Sequence, residues 1–300
     1  MVETILVTGA TGTVGSEVVK QLSQLKENIS IRAAIHSQNK VDNLKQIIDD
    51  EKRIQLVDFD YNEPTSIQKA INKVDKIFLV TIPSVSFSDN ISNFVEEAKR
   101  NGIKHIVKLS VMNADAQPGY AMGRLHRQEE KIIEESKVPY TFLRPTTFMQ
   151  NFVTYFSHTI KNQNAFYFHG GNVLIRFVDA RDIATVAAKI LTYDKKAHLY
   201  SYKSYNITGQ NALSYNQAAE ILSRETGWKI SYIDLSEEEA RNGMKQVGMS
   251  DGLVEIIIDS LKYINRGDYG SETSETIEQI TGRKPIVFEQ FVRDYIRYFS

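Results

Sequence analysis

Near the N-terminus, Thr8-Gly9-Ala10-Thr11-Gly12-Thr13-Val14-Gly15 sets three glycines at three-residue intervals among small and hydroxylated neighbours. An apolar run, Ile5-Leu6-Val7, precedes it, and Val14, Val18, Val19, Leu22 and Leu25 follow at helical spacing. A strand that turns through glycines into a helix points free backbone N–H groups and the positive end of the helix dipole at an anion. The chemistry such a turn performs is recognition of a pyrophosphate, as in a dinucleotide. Gly9, Thr11, Gly12, Thr13, Val14 and Gly15 are the expected binding residues, and Gly15 also lets the helix pack closely on the strand. The spacing is G-x-x-G-x-x-G rather than the commoner G-x-G-x-x-G, so the strand–turn–helix context carries this reading.

The next strand end bears on which dinucleotide. A NAD site generally has an acid about 20 residues beyond the glycines, bonding the ribose 2′-hydroxyl. The segment from Arg32 to Lys40 has no acid and offers His36, Ser37 and Lys40, a set suited to a 2′-phosphate. NADP(H) is therefore expected in preference to NAD(H). Asp58 and Phe59, closing the third strand, are expected to meet the adenine by hydrogen bond and ring contact. Thr81 and Pro83, after the fourth strand, lead toward the nicotinamide half.

These residues need a scaffold, and the hydrophobic pattern supplies one. Strands are expected at Ile29 to Ile35, Ile54 to Val57, Ile77 to Val80, Ile103 to Leu109 and Tyr140 to Leu143, separated by amphipathic helical stretches. Such alternation needs crossover connections and gives a parallel sheet with helices on both faces; the wholly apolar strands fit that burial. The expected fold is α/β, a Rossmann doubly wound parallel sheet with a smaller C-terminal α/β substrate lobe. Residues 1–150 read as the dinucleotide-binding domain. Residues 151–300 read as a mixed region that completes the sheet, through strands at Val173 to Val178 and Tyr205 to Thr208, and forms the lobe. Ser214-x-x-Gln217 and Ser236-x-x-Glu239 are capping boxes at helix starts.

Composition removes several alternatives. The 300 residues carry 36 Lys+Arg against 37 Asp+Glu, a net charge of −1 that argues against a basic surface for nucleic acid. No cysteine is present, which excludes disulfides, thiolate nucleophiles and thiolate-bound metals. The histidines show no ligand spacing, so no metal is expected. No apolar run reaches the ~18 residues of a membrane span, and the N-terminus lacks the pattern of a signal peptide. A cytoplasmic monomer or homodimer acting on a small molecule is the expectation.

Several further segments share a pattern. Val7-Thr8-Gly9-Ala10-Thr11-Gly12, Leu143-Arg144-Pro145-Thr146-Thr147-Phe148-Met149-Gln150-Asn151-Phe152, Val178-Asp179-Ala180-Arg181-Asp182-Ile183-Ala184 and Asn206-Ile207-Thr208-Gly209 occur in that order along the chain. Together they resemble the NmrA-like branch of the atypical short-chain dehydrogenase/reductases, which includes NADPH:quinone reductases. The resemblance covers nearly the whole chain and implies a Rossmann domain, bound NADP and a small substrate lobe.

Members of the wider superfamily typically use a Tyr-x-x-x-Lys pair to move the substrate proton. None of the fifteen tyrosines here has Lys four residues on. The resemblance puts His126 where that Lys usually sits and Met122 in place of the Tyr. Ketone reduction needs a general acid, whereas hydride addition to a quinone leaves a stabilised phenolate. The expected activity is hydride transfer from NADPH to a quinone or similar electrophile. His126 is the expected ribose or substrate ligand and a candidate proton source. Ser110, ending the fifth strand, is a candidate carbonyl-polarising hydroxyl. Phe148, Asn151 and Phe152 are candidate substrate-pocket residues, with core packing the plainer reading of the aromatics. Two alternatives remain at this stage: a non-catalytic NADP-binding redox sensor with a protein partner, and a nucleoside-diphosphate-sugar epimerase or dehydratase.

Overall fold

The computed structural model describes residues 2–26, 28–36, 41–46, 53–81, 88–193, 199–270 and 272–300. The elements are β1 Glu3–Val7, α1 Thr13–Gln24, β2 Ile29–Ile35, α2 Val41–Gln46, β3 Ile54–Asp58, α3 Pro64–Ile71, β4 Lys76–Leu79, α4 Ser88–Arg100, β5 His105–Leu109, α5 Ala121–Ser136 and β6 Tyr140–Pro145. Then follow α6 Ser157–Gln163, β7 Ala165–Phe168, α7 Ala180–Thr192, β8 Lys203–Ile207, α8 Tyr215–Thr226, β9 Ser231–Asp234, α9 Glu237–Gln246, α10 Asp251–Tyr263, α11 Thr276–Thr281 and α12 Phe288–Asp294. Two compact units interleave along the chain. One comprises Met1–Ser110, Leu125–Arg144 and Ala180–Tyr205; the other comprises Val111–Arg124, Pro145–Asp179 and Asn206–Ser300.

The first unit is built on a seven-stranded sheet of order β3-β2-β1-β4-β5-β6-β8. Its pairs from β3 through β6 are parallel, with Ile5 opposite Ile31 on one side and Lys76 on the other. Ile5, Leu6 and Val7 are fully buried, as are Ile77, Phe78 and Leu79, because helices cover both faces of a doubly wound sheet. α1 buries Val14, Val18, Val19 and Leu22 along one stripe, and Gln21 Nε2 ties it to α7 by donating to the Arg181 carbonyl at 2.9 Å. The order reverses at β1, whose neighbours are β2 and β4. In this class of sheet, ligands bind beyond the carboxyl ends of the strands flanking such a reversal.

The second unit has a core of Phe152, Phe166, Phe177, Tyr215, Phe288 and Phe291. Both capping boxes form, Ser214 with Gln217 and Ser236 with Glu239. A short parallel pair of β7 and β9, unforeseen in the sequence, completes its regular structure. The strand expected at Val173 to Val178 does not form. Its backbone groups are shared among separate segments: Ile175 bridges Leu213, Arg176 N donates to the Gly270 carbonyl, and Val178 bridges Phe148. No described helix is long and apolar enough to cross a membrane.

Candidate functional site

The glycine turn lies at the carboxyl end of β1. Gly9 takes φ +61°, a conformation that glycine alone adopts without strain, and a Cβ there would also stand 3.0 Å from Val80 Cβ. Gly12 N donates to the Gly9 carbonyl at 2.9 Å and closes the turn. A Cβ on Gly15 would fall 2.1 Å from the same carbonyl oxygen, so α1 can approach the turn this closely only with glycine there. The helix starts at Gly12 without a side-chain cap, and its first internal bond is Ser16 N to Gly12 O at 3.0 Å. The N–H groups of Thr13, Val14 and Gly15 precede that bond, so they belong to the helix end that helical geometry leaves unsatisfied. The charge of this cradle suits a pyrophosphate.

The turn is braced from beneath. Val80 N donates to Thr8 Oγ1 at 2.7 Å, and the Tyr61 hydroxyl donates to the Val80 carbonyl at 2.7 Å. Burial pushes the Tyr61 phenol well above its ordinary range, so it stays protonated as a donor. These bonds tie the end of β4 to the glycine turn across the reversal in strand order.

Beyond Val80 lies a buried polar cluster. Lys108 Nζ, fully buried on β5, pairs with Glu129 Oε2 at 2.7 Å. It also lies 3.1 Å from the Leu109 carbonyl, 3.3 Å from Thr81 Oγ1 and 3.2 Å from His126 Nδ1. Thr81 Oγ1 donates to Glu129 Oε2 at 2.8 Å. Burial, reinforced by the Lys108 charge, holds His126 well below the usual histidine range, so the ring is neutral. The expected imidazolium proton source is therefore corrected: a buried ring beside an ammonium does not take a second proton.

Ser110 is likewise committed. Its hydroxyl donates to Glu130 Oε1 at 2.7 Å, and Arg144 grips both oxygens of that carboxylate, Nε at 2.9 Å and Nη2 at 2.7 Å. Arg127 Nη1 adds a contact at 3.1 Å. Glu130 is fully buried, and a bidentate guanidinium is the partner that makes such burial tolerable. The role expected of Ser110, polarising a carbonyl, is corrected accordingly, since its proton already serves a buried carboxylate.

The other expected residues divide. His36 is exposed, with Nδ1 3.9 Å from Asp60 Oδ2. Asp58 is exposed at the end of β3. The Phe59 ring contact with adenine is corrected: the side chain is 6% exposed and packs edge-on against Tyr61 and Phe94 in the core. Thr81 directs its hydroxyl to Glu129 rather than outward. Ser37, Lys40 and Pro83 lie outside the described residues. In the second unit Phe148 and Asn151 are half-buried. Phe152 is corrected to a core residue, fully buried with rings of Phe156, Phe166, Phe177 and Phe288 around it. Tyr61, Lys108 and Glu129 went unrecognised. A usable signal was present at Lys108, because a lysine among Ile106, Val107 and Leu109 in a doubly covered strand has to find a partner.

A doubly wound sheet with a glycine cradle at the reversal of strand order defines a Rossmann-type, dinucleotide-binding protein. The NmrA-like family profile matches residues 1–291, and the chain belongs to that family. It is 30% identical over 296 residues to an NAD(P)H azoreductase of Xenophilus azovorans, covering 99% of each chain. It is 26% identical to quinone oxidoreductase 2 of Escherichia coli, covering 93% of each. Among solved structures, an Escherichia coli NADPH-dependent quinone oxidoreductase in complex with NADPH superposes with TM-score 0.80 at 25% identity, covering 97% of this chain and 99% of the other. A Citrobacter sp. triphenylmethane reductase in complex with NADP(H) superposes with TM-score 0.76 at 26% identity, covering 96% and 98%. The family is one of NAD(P)H-dependent oxidoreductases.

Proposed function

We propose that the protein is an NADPH-dependent reductase acting on a quinone or another small electrophilic acceptor. The observation that carries this reading is the glycine cradle: Gly15 against the Gly9 carbonyl, with the first-turn N–H groups of α1 presented at the strand-order reversal. Thr11, Thr13 and Val14 would hold the pyrophosphate, and His36, with Ser37 and Lys40, the 2′-phosphate. The chemistry that a reduced nicotinamide would supply if held there is donation of a hydride. The chain's own groups fix the turn through Thr8, Val80 and Tyr61, and present His126 as a neutral ring. A quinone tolerates that arrangement because its reduced form is a stabilised phenolate, whose proton can follow from water. The activities of the relatives, an azoreductase and a quinone oxidoreductase, support acceptors of this electrophilic kind.

A dinucleotide-binding sensor that regulates a partner is the second reading. One observation favours it: the hydroxyl protons near the cluster are taken, Ser110 by Glu130, Thr81 by Glu129 and Tyr61 by Val80. The two readings separate in one experiment. Thermal unfolding is followed with NADPH and with NADH, then NADPH oxidation is measured with a panel of quinones and azo dyes. A ligand at a hundredfold excess over Kd adds about 2.7 kcal/mol. The reductase reading expects the larger shift with NADPH, together with turnover. A shift without turnover supports the sensor, and no shift with either nucleotide sinks both.

A further inference from the structure

Lys108 enters the interior from a strand whose two preceding positions, Ile106 and Val107, are fully buried hydrocarbon. An ammonium so placed has to be matched by charge and by acceptors. Glu129 supplies the charge at 2.7 Å, and the Leu109 carbonyl and Thr81 Oγ1 lie at 3.1 and 3.3 Å. The remaining neighbour is His126 Nδ1 at 3.2 Å, closer than the 3.5 Å that separates the same nitrogen from Glu129 Oε2. A hydrogen on Nδ1 would face an ammonium, which has donors and no lone pair. Nδ1 is therefore the acceptor, and the ring hydrogen sits on Nε2. Among the described residues no group accepts from that Nε2–H. Thr81 donates to the same Glu129 oxygen that Lys108 pairs with, Oε2, at 2.8 Å. His126 and Glu129 lie one helical turn apart on α5, so a single cation from β5 registers both.

We propose that Lys108 is a positioning residue for the reduction: through Nδ1 it locks His126 as a neutral Nε2–H donor and backs that donor with positive charge, for an acceptor oxygen that becomes negative. The inference rests on the reductase reading of this site and narrows the substrate class. A neutral N–H stabilises a developing oxyanion without surrendering its proton. That suits an acceptor whose reduced form survives as an anion, as a quinol phenolate does. It does not suit a ketone, whose alkoxide needs the proton at once. The charged and titratable groups facing the ring are Lys108 from β5 and Glu129 from its own helix, with the Tyr61 phenol interacting with Glu129 from beyond β3. Burial and the Lys108 charge both oppose a second proton on the ring.

The test reads the ring directly. Long-range proton–nitrogen NMR spectra of the 15N-labelled full chain, with the His126 signal assigned through His126→Gln, report which nitrogen carries hydrogen. The wild type is expected to show a bare Nδ1 and a protonated Nε2 from about pH 5.5 to 8. Lys108→Met alone strands a carboxylate in the interior, so the decisive variant is Lys108→Met with Glu129→Gln, which removes both charges. There the ring is expected to populate both tautomers. The kcat for menadione with NADPH is expected to fall about tenfold or more, while NADPH affinity, read by fluorescence titration, changes less than about threefold. A wild-type ring protonated on Nδ1 overturns the proposal, as does a double variant with an unchanged tautomer or an unchanged kcat. A wild-type protein that fails to bind NADPH overturns the reductase reading instead, and the tautomer spectra are recorded without nucleotide.

Discussion

The Cβ direction of Gly15 points at the carbonyl oxygen of Gly9, and a methyl group built there would stand 2.1 Å away. The obstacle is backbone, so no side-chain rotation relieves it. Gly15→Ala is expected to destabilise the protein by about 1–3 kcal/mol, the range of an overpacked interior contact. It should also weaken NADPH binding, because α1 can escape the clash only by carrying its first-turn N–H groups away from the turn. Gly12→Ala meets the same oxygen at 3.2 Å and is expected to disturb the fold less. Denaturant titration and nucleotide titration of both variants check this. A Gly15→Ala protein with unchanged stability and affinity would remove the cradle from the account.

Ser110 and Arg144 answer to the same carboxylate but with different weight. Ser110 gives Glu130 one bond, whereas Arg144 gives it two bonds and most of its countercharge. Ser110→Ala is expected to cost about 1.5–3 kcal/mol, the worth of a hydrogen bond to a buried charge, with kcat nearly unchanged. Arg144→Leu is expected to cost about 3–5 kcal/mol, since it leaves the carboxylate with the Ser110 hydroxyl and the countercharge of the partly exposed Arg127. A Ser110→Ala enzyme with intact stability and a hundredfold lower kcat would return Ser110 to the chemistry.

What the sequence disclosed follows from which interactions are local. The alternation of apolar strands with amphipathic helices from β1 to β6, the glycine turn and both capping boxes are written in neighbouring residues, and these form. The Ser110–Glu130–Arg144 and Lys108–Glu129–His126 clusters join β5, α5 and β6, or β5 and α5. His126 and Glu129 are neighbours on one helix, but the partners from β5 and β6 are separated from them by crossovers, and no local pattern links those to the helix. Phe59 and Phe152 show the same limit in reverse. An aromatic at a strand end or on a helix is compatible with a ligand wall and with a core, and only the packing of Phe94 or Phe288 against it decides. Val173 to Val178 has the pattern of a strand, but pairing depends on a partner that no single segment supplies.

Stability is expected to fall on mild acidification, and His105 supplies a defined part of the fall. Its Nε2 lies 2.8 Å from Thr141 Oγ1, whose own hydroxyl donates to the Tyr200 carbonyl, so the ring nitrogen donates. Burial, with the Lys76 charge adding to it, lowers its pKa from 6.5 to about 4. Between those values the unfolded chain holds a proton that the folded chain does not, so stability rises with pH across the window. The stabilisation is complete above pH 6.5 and is lost as pH falls toward about 4, amounting to roughly 3 kcal/mol at about 1.4 kcal/mol per pH unit. His126 acts in the same direction. Urea midpoints measured from about pH 7 to 4 should therefore decline, and His105→Gln should flatten part of that slope. An identical slope in the variant would show that His105 titrates normally in the folded protein.

The activity profile should behave differently from the stability profile. An imidazolium that delivers the substrate proton must be charged to work, so its rate would fall as pH rises through the histidine range. His126 is already neutral there, held so by burial and by Lys108. Its contribution is a fixed N–H whose state does not change across that range. The kcat for quinone reduction at saturating NADPH is accordingly expected to be level from about pH 6 to 8 as far as His126 is concerned. His126→Gln, which keeps an N–H donor but no titrating ring, should lower kcat without changing the shape of the profile. A wild-type rate that declines above about pH 6.5, with the decline abolished by His126→Gln, would mean that the ring is protonated in the working complex and that Lys108 does not hold it neutral.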